Sequence, residues 1–242
     1  MKKTLVVSAV FGLALSVIWP AASAPAQEFS SLYVTPKLIL SYQKGDMEKS
    51  RWHNGGWTLG TLGGEDTDTN LGAGVAVGTD MSYYTPYSIR LEGEYMYRGK
   101  AEWDKGPKGV SGAGTAYQAF DVRSHTFMAN AYYDFLNEST FTPYVGLGLG
   151  LSYLKSDYRN RVVLGGAEYA VSGSGDDWNL AWNLGGGVAW QLSDVMSLDF
   201  NYRYIDLGEV ETSRVRVGNY STKGKVDYTA HEFGIGLRFT GF

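Results

Sequence analysis

The sequence predicts an all-β fold: an eight-stranded antiparallel transmembrane β-barrel with long extracellular loops and short periplasmic turns. Three observations support this prediction. Apolar residues recur at every second position in eight separate segments, which is the period of a β-strand. The connections between these segments alternate between long and short. Aromatic residues gather near both ends of the apolar faces, as they do at the two interfaces of a membrane barrel.

Each of the eight segments has one apolar face that carries no charged residue. A soluble β-sandwich also alternates, but a charge on a lipid-facing side at mid-membrane costs about 2–4 kcal/mol, which explains the exclusion. In chain order the apolar faces run from Leu32 to Tyr42, Leu71 to Val77, Ile89 to Tyr97, Phe127 to Phe135, Val145 to Tyr153, Leu180 to Trp190, Met196 to Tyr204 and Phe233 to Phe239.

The connections give the barrel a direction. Short turns are predicted at 82–87, 136–141 and 193–195, and long polar loops at 44–69, 99–121, 155–177 and 208–228. Long loops outside and short turns in the periplasm are typical of outer-membrane barrels. Tyr42, Tyr97, Tyr153 and Tyr204 lie towards the long loops, and Tyr133, Phe135, Trp190 and Phe239 towards the short turns.

Two of the long loops contain hairpin signals. Gly165-Gly166 and Gly218-Asn219 are dipeptides that favour two-residue β-turns. Pairing Val217 with Tyr220 and continuing without a bulge sets Asp199 opposite Arg238 and Arg203 diagonal to Glu232. The two strands would then continue well above the membrane.

The glycine pattern of the fifth segment, YVGLGLGLSYL (144–154), does not fit a nucleotide loop. A dinucleotide fingerprint needs G-x-G-x-x-G on a strand-to-helix turn, whereas these glycines follow a strict period of two. We expect them to face a narrow interior and leave room for longer neighbours. The same inward position is predicted for Gly72, Gly74, Gly78, Gly146, Gly148, Gly150, Gly185, Gly187, Gly234 and Gly236.

The inward faces carry five basic and five acidic residues. Because charges in a dry lumen need partners, we predict a salt-bridged plug, with Arg90 pairing Asp134. A charged selectivity pore is the alternative, although eight strands leave little lumen. The ten residues are Lys37, Arg90, Arg98, Arg203 and Arg238 with Glu92, Glu94, Asp134, Asp199 and Glu232.

Composition and targeting limit the class of protein. Lys2 and Lys3, an apolar stretch and small residues ending at Ala26 predict a signal peptide over 1–26, followed by a barrel domain over 27–242. The net charge of −4 argues against nucleic-acid binding. With no cysteine and three scattered histidines, we expect no metal and no cofactor.

Four stretches, SIRLEGEYMYRG, MANAYYDF, TPYVGLGLGLSY and HEFGIGLRF, resemble the opacity-protein and porin-like family of eight-stranded outer-membrane barrels. The resemblance implies the outer membrane of a Gram-negative-type bacterium and insertion by the barrel-assembly machinery. That machinery reads an alternating C-terminal strand, which Phe233, Ile235, Leu237 and Phe239 match. Phe242 is out of phase with Phe239, so either the terminus overhangs or a bulge restores the phase.

We therefore expect a monomeric envelope protein with a structural and surface-interaction, adhesin-like role. Its expected partners are outer-membrane lipids and lipopolysaccharide, with host or surface ligands at the loops. A narrow porin-like channel is the second hypothesis. A lipid-A-modifying hydrolase is the third, with His53 as its base; we expect no enzyme. His125 and His231 suit the membrane interface, while Trp52, Trp57 and Trp103 are loop residues that serve as ligand anchors or interface residues.

Overall fold

The computed structural model describes residues 31–54, 57–110, 114–164, 166–211, 215–217, 220–222 and 225–241. Almost all of them are in strands, and a 3₁₀ turn covers Met81–Tyr83. The strands are β1 (Leu32–Asn54), β2 (Trp57–Asp80), β3 (Ile89–Val110), β4 (Gly114–Asp134), β5 (Phe141–Leu164), β6 (Ala167–Ser193), β7 (Met196–Glu211), β8 (Val215–Val217), β9 (Tyr220–Thr222) and β10 (Lys225–Thr240). The predicted signal peptide lies outside these residues. Within them, no helix is long and apolar enough to cross a membrane.

Eight long strands, β1 to β7 and β10, form a closed antiparallel barrel. Each pairs with its neighbour in the chain, and β10 pairs with β1 to complete the ring. The predicted fold class is therefore confirmed. Short connections at 81–88, 135–140 and 194–195 lie at one end of the barrel, which we call the short-turn end. The opposite end is the long-hairpin end.

The long connections are at the predicted end, but the prediction that they are loops was wrong over most of their length. Strands β5 and β6 pair without interruption from Phe141–Trp190 up to Leu164–Ala167. That last pair confirms the predicted hairpin at Gly165-Gly166, and Val217 pairs with Tyr220 as predicted.

The strands continue because their inward side chains bury one another at the long-hairpin end. Trp103, predicted as a loop residue, is 0% exposed and lies inside the barrel. Below this level most large apolar side chains face outwards, whereas here they face inwards. We call the set the upper core: Met47, Ala101, Trp103, Phe120, Val122, Leu154, Tyr158, Ile205, Leu207, Val210, Val226, Tyr228 and Ala230.

The predicted register between the last two long strands was wrong by two residues. Asp199 lies opposite Gly236, and Arg203 lies directly opposite Glu232. One residue of the difference comes from a bulge at Gly208, which has a φ of +81° and donates its N–H to the Asp206 carboxylate at 2.9 Å. The other arises between the barrel strands and the Val217–Tyr220 hairpin.

Strand β10 runs through Thr240 without a bulge beyond Thr229. Gly241 follows with a φ of +89°, a conformation that favours glycine, and Phe242 lies outside the described residues. The phase of the alternation is therefore not restored by a bulge in the described part of this strand. The chain leaves the sheet after Thr240.

Candidate functional site

Six charged side chains form a continuous chain of ion pairs inside the barrel, which we call the lumen ladder. Lys37 on β1 contacts one carboxylate of β3 and reaches a second, that of Glu94, at 2.8 Å. The other oxygen of Glu94 lies 2.6 Å from Arg203 on β7. In order of contact the members are Glu92, Lys37, Glu94, Arg203, Glu232 and Arg98.

The ladder ends in its most buried pair. Glu232 on β10 accepts from Arg203 at 2.7 Å and from Arg98 on β3 at 2.5 Å. The side chains of Arg98 and Glu232 are both 0% exposed. Thr126 accepts from Arg98 at 3.0 Å, and Ser41 donates to Glu232 at 3.1 Å. Because buried charges are stable only when paired and hydrogen-bonded, these hydroxyls complete the site.

The ladder crosses the full width of the barrel. Strands β3 and β7 are separated by three strands in either direction around the ring, so they form opposite walls. Glu94 and Arg203 nevertheless meet, because the glycine-rich wall strands leave the interior free of competing side chains. The Glu94–Arg203 contact therefore joins opposite walls across the lumen.

Two further ion pairs lie nearer the short-turn end. Arg90 makes a bidentate contact with Asp134, at 2.7 and 2.8 Å. Its guanidinium lies between the rings of Tyr132 and Tyr144, 4.9 and 4.8 Å from their centroids. These ring contacts are favourable cation–π geometry.

The second pair joins Arg238 to Asp199 at 2.6 Å, although the two residues are diagonal and not opposite in the register. Arg238 also lies 5.3 Å from the centroid of the Tyr33 ring. The structure therefore places all ten sequence-predicted charges inside the barrel, each with a partner of opposite sign.

A hydrogen bond between two uncharged side chains passes over the inward, glycine-lined face of β5. Asn183 on β6 donates to Asn130 on β4 at 2.9 Å, passing over Gly148 on the strand between them. A Cβ atom at Gly148 would overlap the Asn130 side chain and lie 2.5 Å from that of Asn183. Gly146 similarly leaves room for the Tyr132 ring. The inward glycines thus accommodate particular longer neighbours.

Little space remains in this part of the lumen. A cavity of about 30 Å³ lies between the ladder and Asn183, with Tyr132 and Tyr144 among its walls. That volume holds one or two water molecules. A cavity of this size does not hold a hydrated ion or a solute.

Above the ladder, the upper core fills the barrel with apolar side chains. Trp103 packs edge-on against Tyr228 with ring centroids 5.3 Å apart, and Phe120 lies 4.7 Å from Tyr158. A Cβ atom at Gly45 would lie 2.8 Å from the Trp103 ring. Burial raises the pKa of the Tyr228 hydroxyl. Sequence reasoning missed this core, although the alternation of Phe120 and Val122 was its signal.

The outer surface carries a belt of aromatic and histidine rings at the height between the lumen ladder and the upper core. Tyr97, His125, Tyr153 and Trp178 lie opposite one another in a row across β3 to β6. The Tyr95 hydroxyl lies 2.9 Å from Nδ1 of His125. This is the interfacial position that the sequence predicted for His125.

A matching row crosses β7, β10 and β1. Tyr204, His231 and Tyr42 lie opposite one another, and the Tyr202 hydroxyl lies 2.8 Å from Nδ1 of His231. We call the two rows together the outer belt. Both histidines are outward-facing members of it.

The remaining residues singled out from the sequence have described backbone positions but no described side chains. His53 and Trp52 belong to β1 and Trp57 begins β2, but their side chains lie outside the described residues. In the described part of the chain, no three His, Asp or Glu side chains are grouped so that they could hold a metal ion.

Comparison with known proteins identifies the family. The profile of the outer membrane protein β-barrel domain matches residues 11–239. The chain belongs to the outer membrane protein β-barrel family. This outer-membrane barrel has its apolar outer face in the lipid of the outer membrane, between the short-turn end and the outer belt.

Two relatives and one solved structure illustrate its similarities. The outer membrane protein PagN of Salmonella typhimurium is 32% identical over 177 residues, which are 70% of this chain and 72% of PagN. A Rickettsia bellii protein named "Putative adhesin" is 32% identical over 116 residues, 46% of this chain and 50% of that protein. The crystal structure of Neisserial surface protein A aligns with 87% of this chain and 97% of its own at 20% identity, with a TM-score of 0.47.

Proposed function

We propose that this outer-membrane barrel is an adhesin-like surface-interaction protein that does not conduct solutes. The observation that carries the proposal is a filled interior together with long, paired β-hairpins. The lumen ladder blocks the lower half of the barrel, and the upper core blocks the upper half. What the chain presents to its surroundings is therefore the outside and the tips of its hairpins.

The β5–β6 hairpin extends far beyond the membrane. From Tyr153 in the outer belt to Leu164 at the tip, β5 stays fully paired with β6. Eleven residues at ~3.3 Å each, tilted by ~40°, raise the tip by roughly 25–30 Å above the belt. Its side chains are exposed near the turn, as at Arg161 and Glu168. A rigid, elevated hairpin is a suitable platform for contact with another surface.

The relatives agree with this proposal. The Rickettsia bellii protein with 32% identity bears the name of an adhesin. Segments that extend beyond a rigid scaffold commonly carry the binding function of a protein. We propose the same for the long-hairpin end here, with host or other surface molecules as its ligands.

We propose no enzymatic role. Both histidines with described side chains hydrogen-bond tyrosine hydroxyls on the lipid-facing side, His125 to Tyr95 and His231 to Tyr202. Neither is hydrogen-bonded to a serine or a carboxylate in the described residues, which a hydrolase triad would require. The hydrolase hypothesis for His53 is tested by comparing lipid A mass spectra from cells that express His53→Ala or the unchanged protein.

We propose that the barrel is monomeric and is inserted by the barrel-assembly machinery. Because β10 pairs with β1, the eight long strands leave no open sheet edge at the membrane level. The predicted assembly signal on β10 is presented outwards, with Phe233 57% and Ile235 41% exposed and Leu237 and Phe239 partly exposed. These side chains are accessible to an external factor until lipid covers them.

The decisive experiment shortens one hairpin and measures adhesion. Replacing 159–172 with Asn-Gly joins Tyr158 to Gly173, which are already partners in the register, so the upper core is retained. Bacteria displaying the shortened barrel should bind cultured host cells or extracellular matrix less well than bacteria displaying the full chain. Replacing 137–139 with Asn-Gly at the short-turn end is the matched control and should not change binding.

Two outcomes would contradict the proposal. One is equal binding by bacteria with and without the barrel. The other is unchanged binding after all long hairpins have been shortened, with folding verified by heat-dependent migration on gels and surface display by antibody against a tag on intact cells. Uptake of small sugars into liposomes containing the barrel would favour the channel hypothesis instead.

A further inference from the structure

Two basic side chains stand outside the barrel directly above the outer belt. Arg123 on β4 lies opposite Lys155 on β5, and both side chains are exposed. The next outward pair towards the membrane is His125 and Tyr153, both in the belt. Two residues along a tilted strand amount to about 5 Å of height. The basic pair therefore lies where lipid headgroups meet water.

Within the described strands, no close ion pair holds either of these two side chains. Like charges directly opposite each other destabilise a sheet, and neither residue forms an ion pair with a described carboxylate. Two of the neighbouring acids contact other groups instead. Asp121, above Arg123, lies 2.6 Å from Arg159. Asp176, opposite Lys155 on β6, accepts from the Tyr153 hydroxyl at 3.3 Å.

The positions of the two residues are fixed from the inside of the barrel. Val122 precedes Arg123 and Leu154 precedes Lys155, and both apolar side chains are 0% exposed in the upper core. The register between β4 and β5 is continuous from the belt to beyond this level. The two cations are therefore held on a rigid sheet and not on a mobile loop.

We propose that Arg123 and Lys155 form a binding site for a phosphate group of lipid A, the glycolipid anchor of lipopolysaccharide in the outer leaflet. Arginine and lysine bind phosphate through charge-assisted hydrogen bonds. A ligand phosphate between the two cations offsets their mutual repulsion. The row of Tyr97, His125 and Tyr153 below offers ring surface to the adjoining sugar and acyl chains.

The test measures lipid A binding to the purified, folded barrel in detergent by native mass spectrometry. Arg123→Gln combined with Lys155→Gln should bind bisphosphorylated lipid A about 30-fold more weakly, from about one kcal/mol per basic residue. Lys155→Arg should retain binding. Arg161→Gln is the matched control, an exposed arginine on the same face near the hairpin tip, paired with Glu168; it should bind like the unchanged barrel.

Further ligands distinguish the sources of phosphate. Fully dephosphorylated lipid A should bind the unchanged barrel no better than the double variant binds the phosphorylated form. Inorganic phosphate at equal concentration should not compete. Competition by inorganic phosphate would assign the site to the free ion, and undiminished lipid A binding by a folded double variant would overturn the proposal.

Discussion

Nη1 of Arg203 lies 2.6 Å from Oε1 of Glu94, although the two residues belong to opposite walls of the barrel. The same guanidinium reaches Glu232 through Nε at 2.7 Å. A single side chain therefore ties three strands together across the lumen. The stability of the barrel and the closure of its interior depend on the same contacts.

Arg203→Ala should lower the unfolding temperature of the barrel in detergent. Removing one partner of a buried pair typically costs about 3–5 kcal/mol, and we expect the lower end because Lys37 and Arg98 still contact the two carboxylates. Adding Glu94→Ala should recover part of the loss. Arg161→Ala is the control, since an exposed pair contributes at most about 1 kcal/mol; equal losses in both variants would contradict the role given to Arg203.

The unchanged barrel should show little or no steady conductance in planar bilayers. The cavity beside the ladder has a volume of about 30 Å³, and the upper core lies above it. Large, ion-selective currents from the purified protein would show that the lumen is wet and would support the porin hypothesis.

Gly148→Ala should destabilise the barrel by about 1–3 kcal/mol, the usual effect of overpacking. The new methyl would overlap the Asn130–Asn183 bridge. Gly93→Ala is the matched control, because a Cβ there meets no atom closer than 3.9 Å and faces lipid. Thermal unfolding followed by circular dichroism checks both, and a tolerated Gly148→Ala would mean that the bridge is loosely packed.

Trp103→Ala should cost about 3–5 kcal/mol, as expected for removing a buried tryptophan. It should also increase proteolysis of the hairpins, since the upper core holds their strands together. Trp178→Ala, which removes a ring that is 59% exposed on the lipid side, should have the smaller effect. Equal sensitivity of the two variants to protease would argue against an upper core outside the membrane.

A peptide tag inserted between Leu164 and Ala167 should bind antibody on intact cells, whereas a tag in 137–139 should bind only after the outer membrane is permeabilised. The first site is the tip of the β5–β6 hairpin and the second is a short turn. The reverse pattern would show that the barrel has the opposite orientation in the membrane.

Sequence reasoning works well where one physical rule governs every position. Lipid contact excludes charge from one face of each strand, so the period of two predicted the strands, their outward faces and the inward position of residues such as Arg98 and Glu232. Turn chemistry likewise predicted the Val217–Tyr220 pairing. Both signals are local.

Other features depend on geometry that the sequence does not display. The bulge at Gly208 shifts the register by one residue, and nothing in the composition distinguishes this glycine from one in a regular strand. The meeting of Glu94 and Arg203 requires knowing which strands form opposite walls. The sequence predicts a loop around Trp103 because the outward residues there are polar, as expected for strands that stand in water.

The apolar outer face and the upper core mark the level at which the barrel leaves the membrane, and this level determines how deep the barrel lies in the bilayer. Below the outer belt most large apolar side chains face outwards to lipid. Above the belt they face inwards and form the upper core, as in a barrel that stands in water. Sinking would drag Arg123 and Lys155 into hydrocarbon, and rising would expose the apolar band to water at about 25 cal/mol per Å². This change of the outer surface from apolar to charged fixes the depth of the barrel, so the hairpin tips keep a constant height above the bilayer.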